Sequence, residues 1–388
     1  MKRVLFITHI TGFLNPGNGG QLRSHHLLKE IAKENSVDVY CDGLEGNVRN
    51  HPAWKDLGLH QSVAPSKARL LKRISRMKGG WRIVALLNRL LGAPSQKSIP
   101  HLPANLSNKW LNNFVLQSVE YDVIILDTLQ QFPQFPWKGG AAKVWLNAHN
   151  VDSILHPEDL HIKYLEHNLA DLIDGVICCT SNDERRYKKM NPGDLKSVVW
   201  GNGTSIPDEQ LSVLGNAKAS SVLFVGSLNY EPNFEGIQWY LDNIHEKLLE
   251  TFHDYSLTIA GRNPSQAFLD YLSRISGVTC IPNAPEISPL YFKHSICIVP
   301  LLRGSGSRLK IPEALIHDKM VVSTSIGAEG YLQGKIPGLL IADDPMAFCI
   351  AVQDALDSMT YAKGEIKDYA KKNFTWTAQI NPAEIGLT

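Results

Sequence analysis

Val299-Pro300-Leu301-Leu302-Arg303-Gly304-Ser305-Gly306-Ser307-Arg308-Leu309-Lys310-Ile311-Pro312-Glu313-Ala314-Leu315 reads as the end of a strand, a loop of glycine and serine, and the start of a helix. A strand that runs through a short loop into a helix is the repeating unit of a parallel α/β sheet. The loop also marks where chemistry is expected, because open backbone N–H groups at a helix start favour an anion. Arg308 and Lys310 add fixed positive charge beside it. Glu313 follows about one helical turn further in, where a carboxylate can accept from a pair of sugar hydroxyls. Donors for phosphate and an acceptor for ribose together describe a nucleoside diphosphate. Pro312 falls in the helix's first turn, where a missing N–H does little harm.

Outward from this segment the same alternation fills the chain. Short β-branched runs ending near small or polar residues occur at 4–8, 37–41, 123–127, 144–148, 176–180 and 198–200, with helix-length stretches between them. The pattern restarts at 221–226 and continues at 257–260, 278–281, 296–300, 321–324 and 339–342. Two doubly wound domains are therefore expected, 1–200 and 221–372, joined by a turn-rich hinge at 201–220 and followed by a closing segment at 373–388. Length agrees: 388 residues, 44% hydrophobic and 20% charged, exceed one ordinary core. In such folds ligands sit beyond the carboxyl ends of strands, so the residues just after each strand are the candidates.

The formal net charge of +1 speaks against a general nucleic-acid binder, which carries a large Lys/Arg excess. Six cysteines without a C-x-x-C pair read as buried free thiols in a reducing compartment. The apolar stretch at the N-terminus is too short for a signal peptide and no run approaches membrane-spanning length, so a cytoplasmic protein is expected. Between Asp56 and Glu120 there is no acidic residue, and basic residues from Lys67 to Arg89 punctuate an apolar set of helical spacing that includes Trp81. That stretch has two readings: peripheral contact with an anionic inner membrane face, or a helix pair with a solvated basic face.

The run from Pro300 to Glu313-Ala314, together with Val321-Val322-Ser323-Thr324-Ser325-Ile326-Gly327-Ala328-Glu329-Gly330, resembles the donor site of glycosyltransferase family 4. Similar anchors occur in order elsewhere: Gly19-Gly20 followed by Arg23, His149-Asn150-Val151-Asp152, Asn202-Gly203, Phe224-Val225-Gly226-Ser227-Leu228, and Asn373-Phe374-Thr375-Trp376. The resemblance implies the GT-B fold, two Rossmann-like domains facing a central cleft, with the closing segment crossing back toward the first domain. It implies a metal-independent glycosyltransferase of hexosyl type that retains configuration, with a UDP- or GDP-linked sugar as donor and no other cofactor. The implied acceptor is a carbohydrate or lipid-linked sugar in polysaccharide or glycoconjugate biosynthesis.

Residue by residue, the likeness implies that Glu313 binds the donor ribose. Gly304, Ser305, Gly306 and Ser307, with Arg308 and Lys310, would meet the diphosphate and donor sugar. His149 is expected near the transferred sugar, and Gly19 and Gly20 either let the backbone approach that sugar closely or simply make a turn. Asn283 lies in the loop 282–287 expected to hold the base, and Asp127 begins the expected acceptor wall. Two departures stand out. Ser305 occupies the position eight before Glu313 where the family's broader pattern has a glutamate, and Ser227-Leu228 stand where many relatives have a basic pair, so Arg308 and Lys310 are expected to supply that charge.

Rival classes fit less well. An epimerase-like enzyme wants several acid–base groups crowded at one sugar, and none is evident. A dehydrogenase needs G-x-G-x-x-G after its first strand, a spacing that Gly17-Asn18-Gly19-Gly20 breaks. A solute-binding protein normally carries an export signal. A catalytically silent scaffold of a polysaccharide assembly complex is the remaining alternative. Asp343-Asp344 reads as a late turn, not a metal site.

Overall fold

The computed structural model describes residues 1–41, 54, 57, 59, 61–62, 121–129, 142–208, 210, 219–304, 308–332, 334–357 and 364–387. The basic stretch Lys67 to Arg89 and the loop residues Ser305, Gly306 and Ser307 lie outside them. The chain divides into two compact units: Met1–Cys178 with Asp183–Val199 and Pro382–Thr388, and Cys179–Asn182 with Trp200–Asn381.

The first unit is built on a seven-stranded sheet in the order β3-β2-β1-β4-β5-β6-β7. The strands are β1 Arg3–Thr8, β2 Ser36–Cys41, β3 Gln61–Ser62, β4 Val123–Asp127, β5 Lys143–Asn147, β6 Gly175–Cys178 and β7 Lys196–Val199. Every pairing is parallel. A parallel sheet covered on both faces needs near-continuous apolar strands, and β1 and β4 are buried along almost their whole length. After β1 the helix α1, Gly19–Ala32, starts on the Asn18 side chain, which accepts from Gln21 N–H. Ser24, Leu27, Leu28 and Ile31 form its buried face, the i, i+3, i+4, i+7 spacing of a helix packed on a sheet.

The second unit repeats the plan with six parallel strands in the order β10-β9-β8-β11-β12-β13. They are β8 Ser221–Val225, β9 Ser256–Gly261, β10 Val278–Pro282, β11 Ile296–Val299, β12 Met320–Ser323 and β13 Leu339–Ile341. Successive side chains alternate between two cores: Val222, Phe224, Ile296 and Ile298 enter one, Leu223, Cys297 and Val299 the other. Each such side chain fully buried stabilises by about 1.5–3 kcal/mol, which is why these runs become strands with helices on both faces. Five of the six free cysteines are buried and Cys280 is half-buried.

Strand order reverses between β1 and β4 in the first unit and between β8 and β11 in the second. At such a switch point the loops leave in opposite directions and open a crevice at the strands' carboxyl ends. The fold is GT-B. Among the described residues no helix is long and apolar enough to cross a membrane.

Candidate functional site

Asp127, the last residue of β4, sits at the first switch point and is 0% exposed. Its Oδ2 accepts from the Thr8 hydroxyl at the end of β1 (2.7 Å) and from Ser24 of α1 (2.7 Å). Its Oδ1 accepts from Asn147 Nδ2 at the end of β5 (2.8 Å) and from His149 Nε2–H (2.8 Å). Asn147 in turn accepts from buried Arg23 (3.0 Å). Burial alone would raise this carboxyl, but the facing His149 and the bonds from His149, Thr8 and Ser24 hold it below the usual carboxylate range. Asp127, expected on the acceptor wall, has no exposure and four donors on its oxygens, one of them His149.

His149 stands at the rim of this network, and its Nδ1 lies 3.2 Å from where a Cβ on Gly20 would be. A side chain there would press on the imidazole, so Gly20 in the first turn of α1 leaves room for it. Gly19 opens the same helix. The segment after His149 is pinned from behind. Buried Tyr187 donates to the Asn150 carbonyl (3.0 Å) and to Glu166 (3.1 Å), and the Glu166 carboxylate accepts from the N–H groups of Asp152 (2.8 Å) and Ser153 (3.2 Å). Thr128, next to Asp127, takes a φ of 80°, a conformation that a β-branched residue holds only where its surroundings enforce it.

At the second switch point β8 ends on Val225, and Gly226 follows. Lys310, the first residue of the helix Lys310–Ile316, lays its ammonium 4.4 Å from the Phe224 ring centroid and donates to Asn233 Oδ1 (2.9 Å). A Cβ on Gly226 would fall 3.0 Å from Lys310 Nζ and 2.8 Å from Asn233 Nδ2. The close approach therefore requires glycine, and Lys310 delivers charge to the strand end where Ser227-Leu228 carry none. Burial and the neighbouring Arg308 push Lys310 down to about 7, against the pull of Glu313. Gly304 has a φ of +125°, and a Cβ on it would lie 2.5 Å from the Arg308 guanidinium. Arg308 is drawn below its ordinary value by burial, opposed by Tyr230.

Glu313 is the fourth residue of the same helix. Its Oε2 accepts from the Tyr291 hydroxyl (3.1 Å). Burial pushes its carboxyl up to about 7, although Tyr291 and Lys310 both favour the anion. His317 closes the helix: its Nδ1–H donates to the Glu313 carbonyl (2.6 Å) and its ring stacks on Tyr291 at 4.6 Å between centroids. Asn283 takes φ 52° after β10 and accepts from Asn263 N–H (2.9 Å), so its side chain shapes the turns beyond β9 and β10.

The structure thus brings Arg308, Lys310, Glu313 and Gly304 together at one switch point, and Gly20, Asp127 and His149 at the other. Asn283 stands apart on its own turn. Asp343 and Asp344 are structural: the first accepts from Ser325 N–H and hydroxyl, the second from Met346 and Ala347 N–H at a helix start. Sequence reading missed Thr8, Ser24, Asn147, Asn233 and Tyr291. Only Asn147, two residues before His149 on a strand end, carried a usable signal. Among the described residues no group of three or more His, Cys, Asp or Glu side chains is placed to hold a metal ion.

Residues 219–358 match the family model "Glycosyl transferases group 1". A curated relative, the "Uncharacterized 44.6 kDa protein in cps region" of Klebsiella pneumoniae, is 34% identical over 135 residues, which are 33% of this chain and 35% of that protein. The match thus spans about a third of the relative's length. Among solved structures, TarM superposes with a TM-score of 0.68 at 12% identity, covering 100% of this chain and 98% of that one. Sucrose-phosphate synthase from Thermosynechococcus elongatus gives 0.63 at 15% identity, covering 97% and 96%. The Anabaena protein HepE in complex with UDP and glucose gives 0.61 at 12%, covering 97% and 96%. These likenesses carry the fold, and over residues 219–358 the chain is similar to the glycosyl transferases group 1 family.

Proposed function

We propose that this protein transfers a hexosyl group from a UDP- or GDP-linked sugar to a carbohydrate or lipid-linked acceptor, with retention of configuration and without a metal ion. The observation that carries the reading is Lys310 and Glu313 on one face of one short helix at the β8–β11 switch point. The first is aimed at the end of β8 and the second is held on Tyr291. A cation where a diphosphate would lie and a carboxylate one turn away are the two contacts a nucleoside diphosphate needs. HepE in complex with UDP and glucose supports a nucleotide-sugar donor. The relative from a cps region supports a role in polysaccharide biosynthesis.

In this reading negative charge grows on the departing diphosphate as the sugar becomes oxocarbenium-like, so preorganised cations there act most strongly in the transition state. Arg308 and Lys310 take that role. His149, held by its bond to Asp127 at the first switch point, is the residue of that unit offered to a sugar. The acceptor proton passes to the leaving phosphate, which removes the need for a dedicated base.

A panel of nucleotide sugars scored by thermal stabilisation identifies the donor. With that donor, Glu313→Ala is expected to fold normally and to weaken binding by about 1.5–3 kcal/mol, the worth of a charge-assisted hydrogen bond. Unchanged affinity in the folded variant sinks the ribose assignment. Activity is expected to persist in EDTA; complete loss restored by added metal defeats the metal-independent reading.

A further inference from the structure

Glu313 is one member of a four-residue assembly that ties two elements of the second unit together. Tyr291 lies on the helix Ser288–Lys293, which follows β10 and the loop 282–287. Its ring is 2% exposed and its hydroxyl donates to Glu313 Oε2 at 3.1 Å. On the ring lies His317, stacked at 4.6 Å with 25° between planes. The carbonyl of Glu313 can only accept, so His317 Nδ1 carries the proton of that 2.6 Å contact. Burial pushes this imidazole down to about 4, which keeps it neutral. Its Nε2 therefore accepts, and the partner is the Ser288 hydroxyl at 2.7 Å. Ser288 opens the helix that carries Tyr291, so the chain of contacts closes on itself: Ser288 to His317, His317 onto Tyr291 and the Glu313 backbone, Tyr291 to the Glu313 carboxylate.

A carboxylate that accepts from two adjacent ribose hydroxyls must hold its plane fixed, and a flexible glutamate loses rotamer freedom in doing so. Here that loss is borne at folding. We propose that Tyr291, clamped by His317 and Ser288, is the positioning residue that fixes the Glu313 carboxylate for the two ribose hydroxyls of the donor. This rests on the donor-site reading of Glu313.

The groups facing Glu313 are Tyr291 from the Ser288–Lys293 helix, Cys297 from β11, and Lys310 and His317 from its own helix and cap. Tyr291 and Lys310 favour the anion. Loss of the tyrosine hydroxyl therefore also raises the pH below which the carboxylate is lost.

The test uses UDP and GDP as probes, whichever binds the parent protein, alongside its 2′,3′-dideoxy analogue, with calorimetry at several pH values. Tyr291→Phe is expected to weaken the ribonucleotide about fivefold to tenfold, the worth of one net hydrogen bond. It is expected to leave the dideoxy analogue, which has no hydroxyls for Glu313, unchanged. The acid limb of ribonucleotide affinity should move up by about one pH unit. Equal weakening of both nucleotides, or no weakening of either, overturns the proposal, since a merely structural tyrosine does not distinguish them. Glu313→Gln separates the two levels: if it discriminates between the nucleotides and Tyr291→Phe does not, only the positioning role fails. If Glu313→Gln is indifferent, or the parent binds neither UDP nor GDP, the donor-site reading fails and the proposal with it. Ser288→Ala, which leaves the tyrosine hydroxyl in place but unclamps His317, is expected to show a smaller effect of the same selectivity and serves if Tyr291→Phe does not fold.

Discussion

An ammonium held against Phe224 and bonded to Asn233 opposes folding until an anion meets it. Lys310 titrates near 7, while Glu313 on the same helix has been pushed up to about 7. With Lys310 and Glu313 as the proposed donor contacts, donor binding needs the opposite of what burial favours in each, the cation at Lys310 and the anion at Glu313. Affinity for a nucleotide sugar is therefore expected to peak near pH 7. It should fall about tenfold per pH unit above that as Lys310 loses its proton, and likewise below it as Glu313 gains one. Calorimetric titration across pH 5 to 9 checks this, and a flat profile refutes it. Stability has its own sign. The folded Lys310 value lies below its unfolded value, so the penalty is full below about 7 and is relieved as pH rises toward the unfolded value. Lys310→Met is thus expected to abolish donor binding yet stabilise the ligand-free protein by about 1–3 kcal/mol at pH 6, less at pH 9. A destabilised Met variant at pH 6 contradicts the burial assignment.

Between elements, the ends of β1, β4, β5 and the start of α1 meet on one carboxylate. Thr8, Ser24, Asn147 and His149 all donate to Asp127, and their sequence separations from it run from 20 to 119 residues. Asp127→Ala removes the acceptor these buried donors share and is expected to cost about 3–5 kcal/mol in urea unfolding. Asp127→Asn keeps the shape, because the Thr8 and Ser24 hydroxyls can turn to accept from an amide. It is expected to stay within about 1–2 kcal/mol of the parent while lowering turnover through a poorly held His149. Equal stability losses in the two variants contradict the network. The same separations explain what was legible in the sequence. Strands such as Val123–Asp127 were readable because each buries a continuous apolar run, a local property. The two-residue β3, Gln61–Ser62, offers no such run and was missed. His149 and Glu313 could be picked from their strand-end and loop-helix settings, and the block around Glu313 from its likeness to a family. The partners of Asp127 are not legible in the sequence because they depend on parallel register, which no local pattern encodes. Tyr291 was invisible for the same reason, 22 residues from the carboxylate it holds.

On the scale of the chain, the last residues fold with the first unit and not with the sheet that precedes them. The segment Pro382–Thr388 belongs with Met1–Cys178 and Asp183–Val199, whereas Trp200–Asn381 belongs to the second unit. Just before that crossing, Thr204 pairs with Thr375 and donates its N–H to the Phe374 carbonyl (2.7 Å), so the second unit binds its own first and last segments together. In the terminal segment Ile385 and Leu387 are 4% and 1% exposed, and a turn with Gly386 at φ 83° aims the chain between them. Two buried aliphatic side chains are worth about 1.5–3 kcal/mol each, a large share of a domain's net stability. Deleting 382–388 is therefore expected to lower the stability of the first unit by about 3–6 kcal/mol and to leave the second unit's sheet intact. Global melting blurs such a difference in a chain of two units, so the measurement is hydrogen exchange by peptide. Amides of β1, β4 and β5 should exchange faster in the deletion variant, while those of β8 and β11 keep their protection. Unchanged protection in β1 and β4 makes the terminal segment a passive appendage. Faster exchange confined to β8 and β11 assigns it to the other unit.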